Sequence, residues 1–599
     1  MTDPLSAAGL GLSVTSLFLQ VFAGSIKGIQ LILAIKDIPK DYQKLRLRLE
    51  LELNRLICWG EAVGLLKELE DEGLVRQTTL NVTITGPLRH TVQDLIEILW
   101  AEVGKITREP PKFYQKHSGG SSVSISRPES SPSKSSKIGR SQRSSLETLF
   151  QKVWFGGIKF KDRLVWTSIG ADKLEHLICS LQHVNSTVIG LTETKTQQEI
   201  HHTVTATNIG LLSLQNSVAD LKQLIEALQI SSTVQAGRLG VLSPPALPQQ
   251  NEDVQLLLDL AELKARRKAC ISGDVVQIDR RSLSGLKAID ADNHRHYATY
   301  ERSRGYWVEW KAYPADYERH ISPSKEDIRR YIVHELVNTL NSNQPAAFRV
   351  PRCIGYFDDP SRSRFGLVFK KPDTVPTQAR ISTLAERFDA DPHPDLADRI
   401  SLARAVAQTV YYLHAVDWLH KAIRPQNIVF AAKWHGPVQY DSPLITGFDY
   451  SRPAYSLDMT QEPSGESSYD DDLYRHPSVQ LCNANRRSGG YRKTYDVYSL
   501  GIVLVEIALW KPVRTLFRSP GQYHMTRTWL LDEKSGYLRN VKFAAGRAYH
   551  DVVRTCLLGL GEEGEAGRQV AKDEDGEDQN FMFDFERLIV RKLQQIIVA

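Results

Sequence analysis

The chain is 599 residues long, 41% hydrophobic and 24% charged, with a formal net charge of +5 at pH 7. That length exceeds one ordinary core, so two or more domains are expected, and so small a net charge gives no general affinity for nucleic acid. Six scattered cysteines (Cys58, Cys179, Cys270, Cys353, Cys482, Cys556) form no CxxC pair or metal-ligand cluster, which points to a reducing intracellular compartment and away from a zinc site.

From Pro4 to Ile26 no residue is charged. As a helix this stretch would measure roughly 34 Å, enough for a hydrocarbon core of about 30 Å. Only Asp3 precedes it, so a secretory signal, which opens on Lys or Arg, is rejected. Its six Ser, Thr or Gln residues and three glycines suit a bundle helix better than a permanent span. A segment that enters a membrane conditionally, through Leu10, Leu12, Leu17, Leu19 and Phe22, is compatible with that resting state. The pairs Ala7/Gly11 and Gly24/Gly28 fit helix contact in lipid or ordinary tight packing.

Residues 40–70 carry Leu at three- and four-residue spacing among charges, which reads as one or two amphipathic helices packing one face inward. Residues 86–108 repeat the pattern. Residues 117–145 are Ser-rich, Pro-broken and basic, too polar to order themselves, and read as a disordered loop open to phosphoregulation or serving as a spacer. Helical periodicity returns at "LETLFQKVWFGGIKFKDRLVW" and "DKLEHLICSLQHVNSTVIGLTET" and again over 200–230. The Pro- and Gly-containing stretch 231–251 reads as a linker.

The first 230 residues therefore read as an all-α helical bundle. Its opening "DPLSAAGLGLSVTSLFLQVF", the "DYQKLRLRLELELNRLICWGE" helix and the "DKLEHLICSLQHVNSTVIGL" helix resemble the HeLo domain of filamentous fungi, the family of prion-inhibition and propagation proteins of heterokaryon incompatibility.

Residues 252–599 begin with a Leu-rich helix, "VQLLLDLAELKARRKA". Short β-like runs follow ("YWVEWKAY", "PRCIGYFDD", "RFGLVFKKP"), with the helical pattern "SKEDIRRYIVHELVNTLN" between the first two. The remainder is mainly helical, with an acidic insert at 561–579. Strands first and helices after give an α+β two-lobed layout, an N-lobe over 252–375 and a C-lobe over 376–599.

Five signals in order make this half resemble the protein kinase fold. They are "VEWK" with Lys311, "LHKAIRPQNIVF" in the place of a catalytic loop, "TGFDYSRP" in the place of Asp-Phe-Gly, "DLYRHPSVQ" at the end of an activation segment, and "KTYDVYSLGIVLVEIALW" starting near Asp496. The chemistry is incomplete. No GxGxxG lies between Gly273 and Gly305, Ala422 replaces the catalytic aspartate, and Gly447 replaces the metal-binding one. A general base alone contributes about 10² to 10⁴ in rate, and loss of the metal ligand removes charge neutralisation as well. The half reads as a pseudokinase without catalytic residues or bound metal, capable at most of weak ATP binding.

What the resemblance leaves is a nucleotide-site-like set. Lys311 either meets phosphate or pairs with a carboxylate, and Asn427 either meets metal or hydrogen-bonds the loop. Glu335, with Glu326 competing for its role, lies on the small-lobe helix, and Asp449 is a candidate substitute metal ligand two residues beyond Gly447. His420, Arg424 and Asp496 are expected to hold the loop. Tyr474 and Pro477 mark a fixed turn in which Ser478 replaces the family's glutamate.

The resemblance implies a signalling or cell-death effector of the fungal incompatibility type, whose pseudokinase regulates a membrane-active bundle. That architecture is also similar to the mixed-lineage-kinase-like necroptosis executioner of animals. It implies protein partners for the pseudokinase, conditional membrane contact by the first helix, homo-oligomerisation when active, no nucleic acid partner, and a cytoplasmic location with movement to the plasma membrane. The alternatives are a scaffold with no membrane step and an unconventional protein kinase.

Overall fold

In a computed structural model, the chain is described over residues 21–34, 39–63, 65, 86–107, 170–238, 248–269, 277–289, 294–313, 329, 336–341, 344–390, 392–432, 437–448, 452–453, 472–480, 491–517, 520–560 and 576–598. The loop expected at 117–145 and the candidates Leu10, Leu12, Leu17 and Leu19 lie outside these residues. The chain divides into two compact units, Met1–Asn208 with Glu226–Gln250, and Ile209–Ile225 with Asn251–Ala599.

The first unit is helical. Helix α1 covers residues 21–33, followed by α2 (Lys40–Ala62), α3 (Gly86–Thr107), α4 (Ala171–Gly190), most of α5 (Thr194–Leu214) and the later part of α6 (Val218–Arg238). Helix α1 buries Phe22, Ile26 and Ile29 at i, i+4 and i+7, one helical stripe. Phe22 meets Trp59 of α2 edge-on at 5.9 Å. A Cβ on Gly24 would fall 2.5 Å from Trp100, and one on Gly28 2.2 Å from Val103, both on α3. Of the two readings for this glycine pair, tight packing inside the bundle is the one observed. Among the described residues, no helix is long and apolar enough to cross a membrane.

Helix α2 departs from the expected one-sided amphipath. Leucines alternate with charges from Leu47 to Leu53, and at 100° per residue that alternation spreads apolar groups around the whole circumference. The helix is accordingly buried on all sides over this stretch, including Arg48, Glu50, Glu52 and Asn54. Its charges are partnered. Asn185 of α4 donates its amide N–H to Glu52 Oε2 at 2.9 Å, Arg55 pairs with Glu52 at 3.0 Å, and Arg48 pairs with Glu175 at 2.7 Å. Burial, opposed by Arg46, pushes the Glu50 carboxyl up to about 7.

The second unit begins, after the hairpin Ile209–Ile225, with α7 (Pro248–Lys268). The expected linker 231–251 is thus shorter than its composition suggested, since α6 runs on to Arg238 and α7 starts at Pro248, a favoured first helical residue. Five antiparallel strands follow: β1 (Ser284–Ala288), β2 (Arg295–Tyr300), β3 (Ser303–Ala312), β4 (Arg352–Asp359) and β5 (Arg364–Lys370), in the order β1-β2-β3-β5-β4. The outer sheet face packs Ile278, Leu283, Ala298, Val308, Phe357 and Val368. The opposite face of β3 carries Trp307, Glu309 and Lys311, all buried.

The helical lobe is built on β6 (Arg380–Thr383), α8 (Leu396–Ala415), β7 (Trp418–Leu419), β8 (Ile428–Ala432), β9 (Leu444–Ile445), β10 (Arg452–Pro453), α9 (Lys493–Leu509) and α10 (Tyr537–Leu558). Helix α9 is buried along nearly its whole length. Gly501 lets α10 approach closely, since a Cβ there would meet Cys556 at 2.7 Å.

Candidate functional site: a self-occupied interlobe cleft

The segment 418–427 leaves β7, passes through a left-handed Lys421 (φ +67°) and enters a 3-10 turn over Pro425–Asn427. Two carboxylate oxygens of Asp496, in the first turn of α9, hold it. Oδ2 accepts the backbone N–H of His420 and Oδ1 that of Lys421, each at 2.8 Å. Tyr491 donates to Oδ1 at 3.0 Å, and His414 Nε2 lies 3.2 Å from Oδ2. Burial alone would raise this carboxyl, but His414, through hydrogen bond and charge, and His420 keep it below the usual range. The ring of His420 is fixed at both nitrogens. Nδ1 accepts the N–H of Ala422 at 3.3 Å, which leaves Nε2 to donate to Thr446 O at 3.0 Å. Arg424 precedes the turn, and its carbonyl accepts Asn427 N–H at 2.9 Å.

Above this loop lies a side chain that the sequence did not single out. Arg295 of β2 is 2% exposed and, among the described residues, turns its guanidinium onto Glu309, Gln426, Asn427 and Thr446. It donates to Glu309 Oε1 (2.9 Å), Gln426 O (2.8 Å), Asn427 Oδ1 (2.8 Å) and Thr446 Oγ1 (2.7 Å). Glu309 has two further donors: Oε1 also accepts Trp307 Nε1–H at 3.2 Å, and Oε2 accepts Gly447 N–H at 3.0 Å. Asn427 completes the knot by donating Nδ2–H to Ala422 O at 2.8 Å. Both ends of the amide that could meet a metal are therefore engaged by protein, as in the loop-bonding reading of this residue.

This knot occupies the centre of a kinase-type cleft. Glu309 stands at the alanine of the V-A-I-K strand motif and Gly447 at the first aspartate of D-F-G. Gly447 adopts φ +79°, and a Cβ on it would lie 2.3 Å from the Asn427 side chain. Lys311 shares the inner face of β3 with Glu309 and is 6% exposed. Glu335, Glu326 and Asp449 lie outside the described residues. Among the described residues, the positions that face phosphate and metal in those motifs are bonded to one another through Arg295, Glu309 and Asn427.

Two further ties close the cleft. Tyr297, on the same face of β2 as Arg295, accepts Ile381 N–H at 3.0 Å. Lys371 opens the connection from the sheet to the helical lobe and turns its ammonium onto that connection's own carbonyls, Thr377 O and Ala379 O, each at 2.8 Å. Burial pulls this ammonium down to about 8.

The turn after the activation segment is anchored without the family's glutamate. Ser478 N–H caps onto His476 Nδ1 at 3.2 Å, while Tyr474 donates to Glu506 Oε1 at 2.9 Å and Ser499 Oγ–H to Tyr474 O at 2.7 Å. Burial pushes the Glu506 carboxyl up to about 8, against the pull of the Val513 N–H and the Tyr474 hydroxyl.

Residues 9–224 match the HeLo family, described as Prion-inhibition and propagation. The chain is similar to a serine/threonine-protein kinase-like protein of Arabidopsis thaliana, 31% identical over 130 residues, covering 22% of this chain and 33% of that protein. It is similar also to a leaf rust 10 disease-resistance locus receptor-like protein kinase-like protein of the same plant, 28% identical over 156 residues, covering 24% and 22% respectively. The chain thus spans about a third and about a fifth of the length of these curated relatives. Among solved structures, the twitchin kinase region from C. elegans is similar with a TM-score of 0.33 and 12% identity over 47% of this chain and 44% of that one. The N-terminal region carries a HeLo domain, and the C-terminal region is kinase-like.

Proposed function

From the premise of a HeLo domain joined to a kinase-like domain, we propose that this protein is a non-catalytic signalling effector of the incompatibility or cell-death type. Its kinase-like domain works as a pseudokinase that regulates a membrane-active bundle. The observation that supports this reading is the buried Arg295–Glu309–Asn427 knot, whose members bond one another at the positions that in kinases face phosphate and metal. Phosphoryl transfer needs a positioned nucleophile and neutralised phosphate charge. Ala422 supplies no base, and Gly447 has no side-chain oxygen, while a Cβ added there would lie 2.3 Å from the Asn427 side chain. Regulation by shape and contact is the use such a domain retains.

The bundle supplies the output. Phe22 and the rest of the α1 stripe are covered at rest, and their release would present an apolar helix to lipid. Residues 1–250, which contain the whole first unit, are expected to release dye from phosphatidylserine vesicles, and Leu17→Glu to abolish the release. The full chain is expected to show no heat of ATP–Mg²⁺ binding. Leakage indifferent to Leu17→Glu would favour a scaffold without a membrane step. Phosphate release by the full chain, lost on Lys311→Ala, would restore an unconventional kinase.

A further inference from the structure

A second buried charge cluster lies in the kinase-like unit, away from the cleft. Asp417, 5% exposed and left-handed at φ +56°, is surrounded by four cations. Lys264 Nζ is 3.0 Å from its Oδ2, Lys268 Nζ 3.4 Å and Arg267 Nη2 3.9 Å, all from the last turns of α7. Lys493 Nζ, at the start of α9, is 3.5 Å from Oδ1. Burial would raise the Asp417 carboxyl, but Lys264 first and the other three cations after it hold it below the usual range. Burial, with Lys493 and Lys268 adding to it, pulls the Lys264 ammonium down to about 8 against the attraction of Asp417.

Lys264 has a second set of partners. Its ammonium, wholly buried, donates to the carbonyls of Leu212 (2.9 Å) and Ser213 (2.8 Å). These are carbonyls of the last turn of α5, at the negative end of the helix dipole, and Leu212 O also accepts the Gln215 N–H at 3.2 Å. Three N–H groups are thus divided between a helix end inside the HeLo match and one carboxylate of the kinase-like domain. Asp417 in turn is three residues from His420, whose backbone Asp496 holds, and Lys493 and Asp496 share the first turn of α9. The position of the degenerate loop and the position of Asp417 are set by the same helix end.

We propose that Asp417 is a bolt. Through Lys264 it fastens the α5 end and α7 to the degenerate catalytic loop, and moving or neutralising this one carboxylate frees hairpin 209–225 and helix 251–268 together. The mechanism is electrostatic. With Asp417 neutralised, the wholly buried Lys264 ammonium loses the carboxylate 3.0 Å from it, and the helix that carries it separates. The proposal deepens the reading above, in which the kinase-like domain restrains the bundle, by naming the contact through which restraint would pass.

The test uses the full chain. Asp417→Asn keeps the shape and tolerates the left-handed backbone while removing the charge. Lys264→Met keeps the apolar stem and removes the three N–H donors. Hydrogen exchange is expected to accelerate at least about tenfold in 209–214 and 251–268 of both variants, with strands β2, β3 and β5 unchanged. Unchanged protection of those two segments in both variants overturns the bolt. So does loss of protection spread evenly through the unit in both, which would make the cluster general packing. If only Asp417→Asn unfolds the unit, Lys264→Met decides. Vesicle leakage by the same variants is scored separately: accelerated exchange without leakage keeps the bolt and sinks the membrane reading, while leakage by residues 1–250 with unaltered exchange in both variants keeps the membrane reading and sinks the bolt.

Discussion

The cleft and the bolt are both buried charge clusters in one unit, and they differ in what they join. In the cleft the Arg295 guanidinium ties a strand of the small lobe to Gln426 O, Asn427 and Thr446 of the large one. At Asp417 the Lys264 ammonium stands between that carboxylate and the carbonyls that end α5. The first contact runs from lobe to lobe within the kinase-like half, whereas the second reaches a helix end inside the HeLo match. The contrast separates a contact that fixes one domain from one proposed to transmit a signal.

The largest effect is expected from unbalancing the cleft. Glu309→Ala leaves Arg295 buried without its anion and should cost about 3–5 kcal/mol in urea unfolding of the full chain. The paired change Arg295→Met with Glu309→Leu should recover most of that loss, because apolar groups of similar volume replace a desolvated ion pair at little net cost. A double variant as unstable as the single one would mean that the knot's hydrogen bonds, and not its charge balance, hold the lobes.

A smaller effect tests the room left in the site. Gly447→Asp introduces a Cβ 2.3 Å from Asn427 at a φ of +79°, and should destabilise by about 2 kcal/mol. Even with Ala422→Asp added, phosphate release should stay at background. A stable double variant with ATP-dependent turnover would break the claim that the cleft has been refilled.

The smallest effect, counted per pH unit, brings in a buried acid whose hydrogen-bond partners are neutral groups. Glu506 is pushed up to about 8. A carboxyl raised in the folded state gives a stability that is complete below its unfolded value of 4.5 and is lost as pH rises toward 8. The slope is at most about 1.4 kcal/mol per pH unit. Glu506→Gln should remove that fall between pH 4.5 and 8 in pH-dependent melts, while a slope identical to the wild type would assign it to other groups, Glu50 foremost.

The kinase-like order was legible because its loops need particular residues at particular offsets: His420, Arg424, Asn427 and Asp496 can be placed by spacing alone. Arg295 could not, since "HRHYATY" is an ordinary strand and three of the partners given for its arginine lie more than 130 residues away. Glu309 did leave a trace. It stands two residues before Lys311, so strand alternation puts it on the buried face, where a lone carboxylate demands a partner. Asp417 left none, because nothing in "HAVDWLH" shows that a helix 150 residues earlier ends on it. Helix α2 was misread as one-sided because alternating Leu and charge describes half a strand, and on a helix the same alternation covers every side.

The border of the HeLo match and the border of the compact unit do not coincide. The match runs through residue 224, yet Ile209–Ile225 folds with the kinase-like half. A gene fusion cut at the end of the match would carry this hairpin away from Lys264 and leave that buried ammonium facing water and Asp417 alone. Any recombination that exchanges such bundles between proteins has to supply a hairpin whose carbonyls still meet that lysine, so compatibility between halves would be inherited through this short piece.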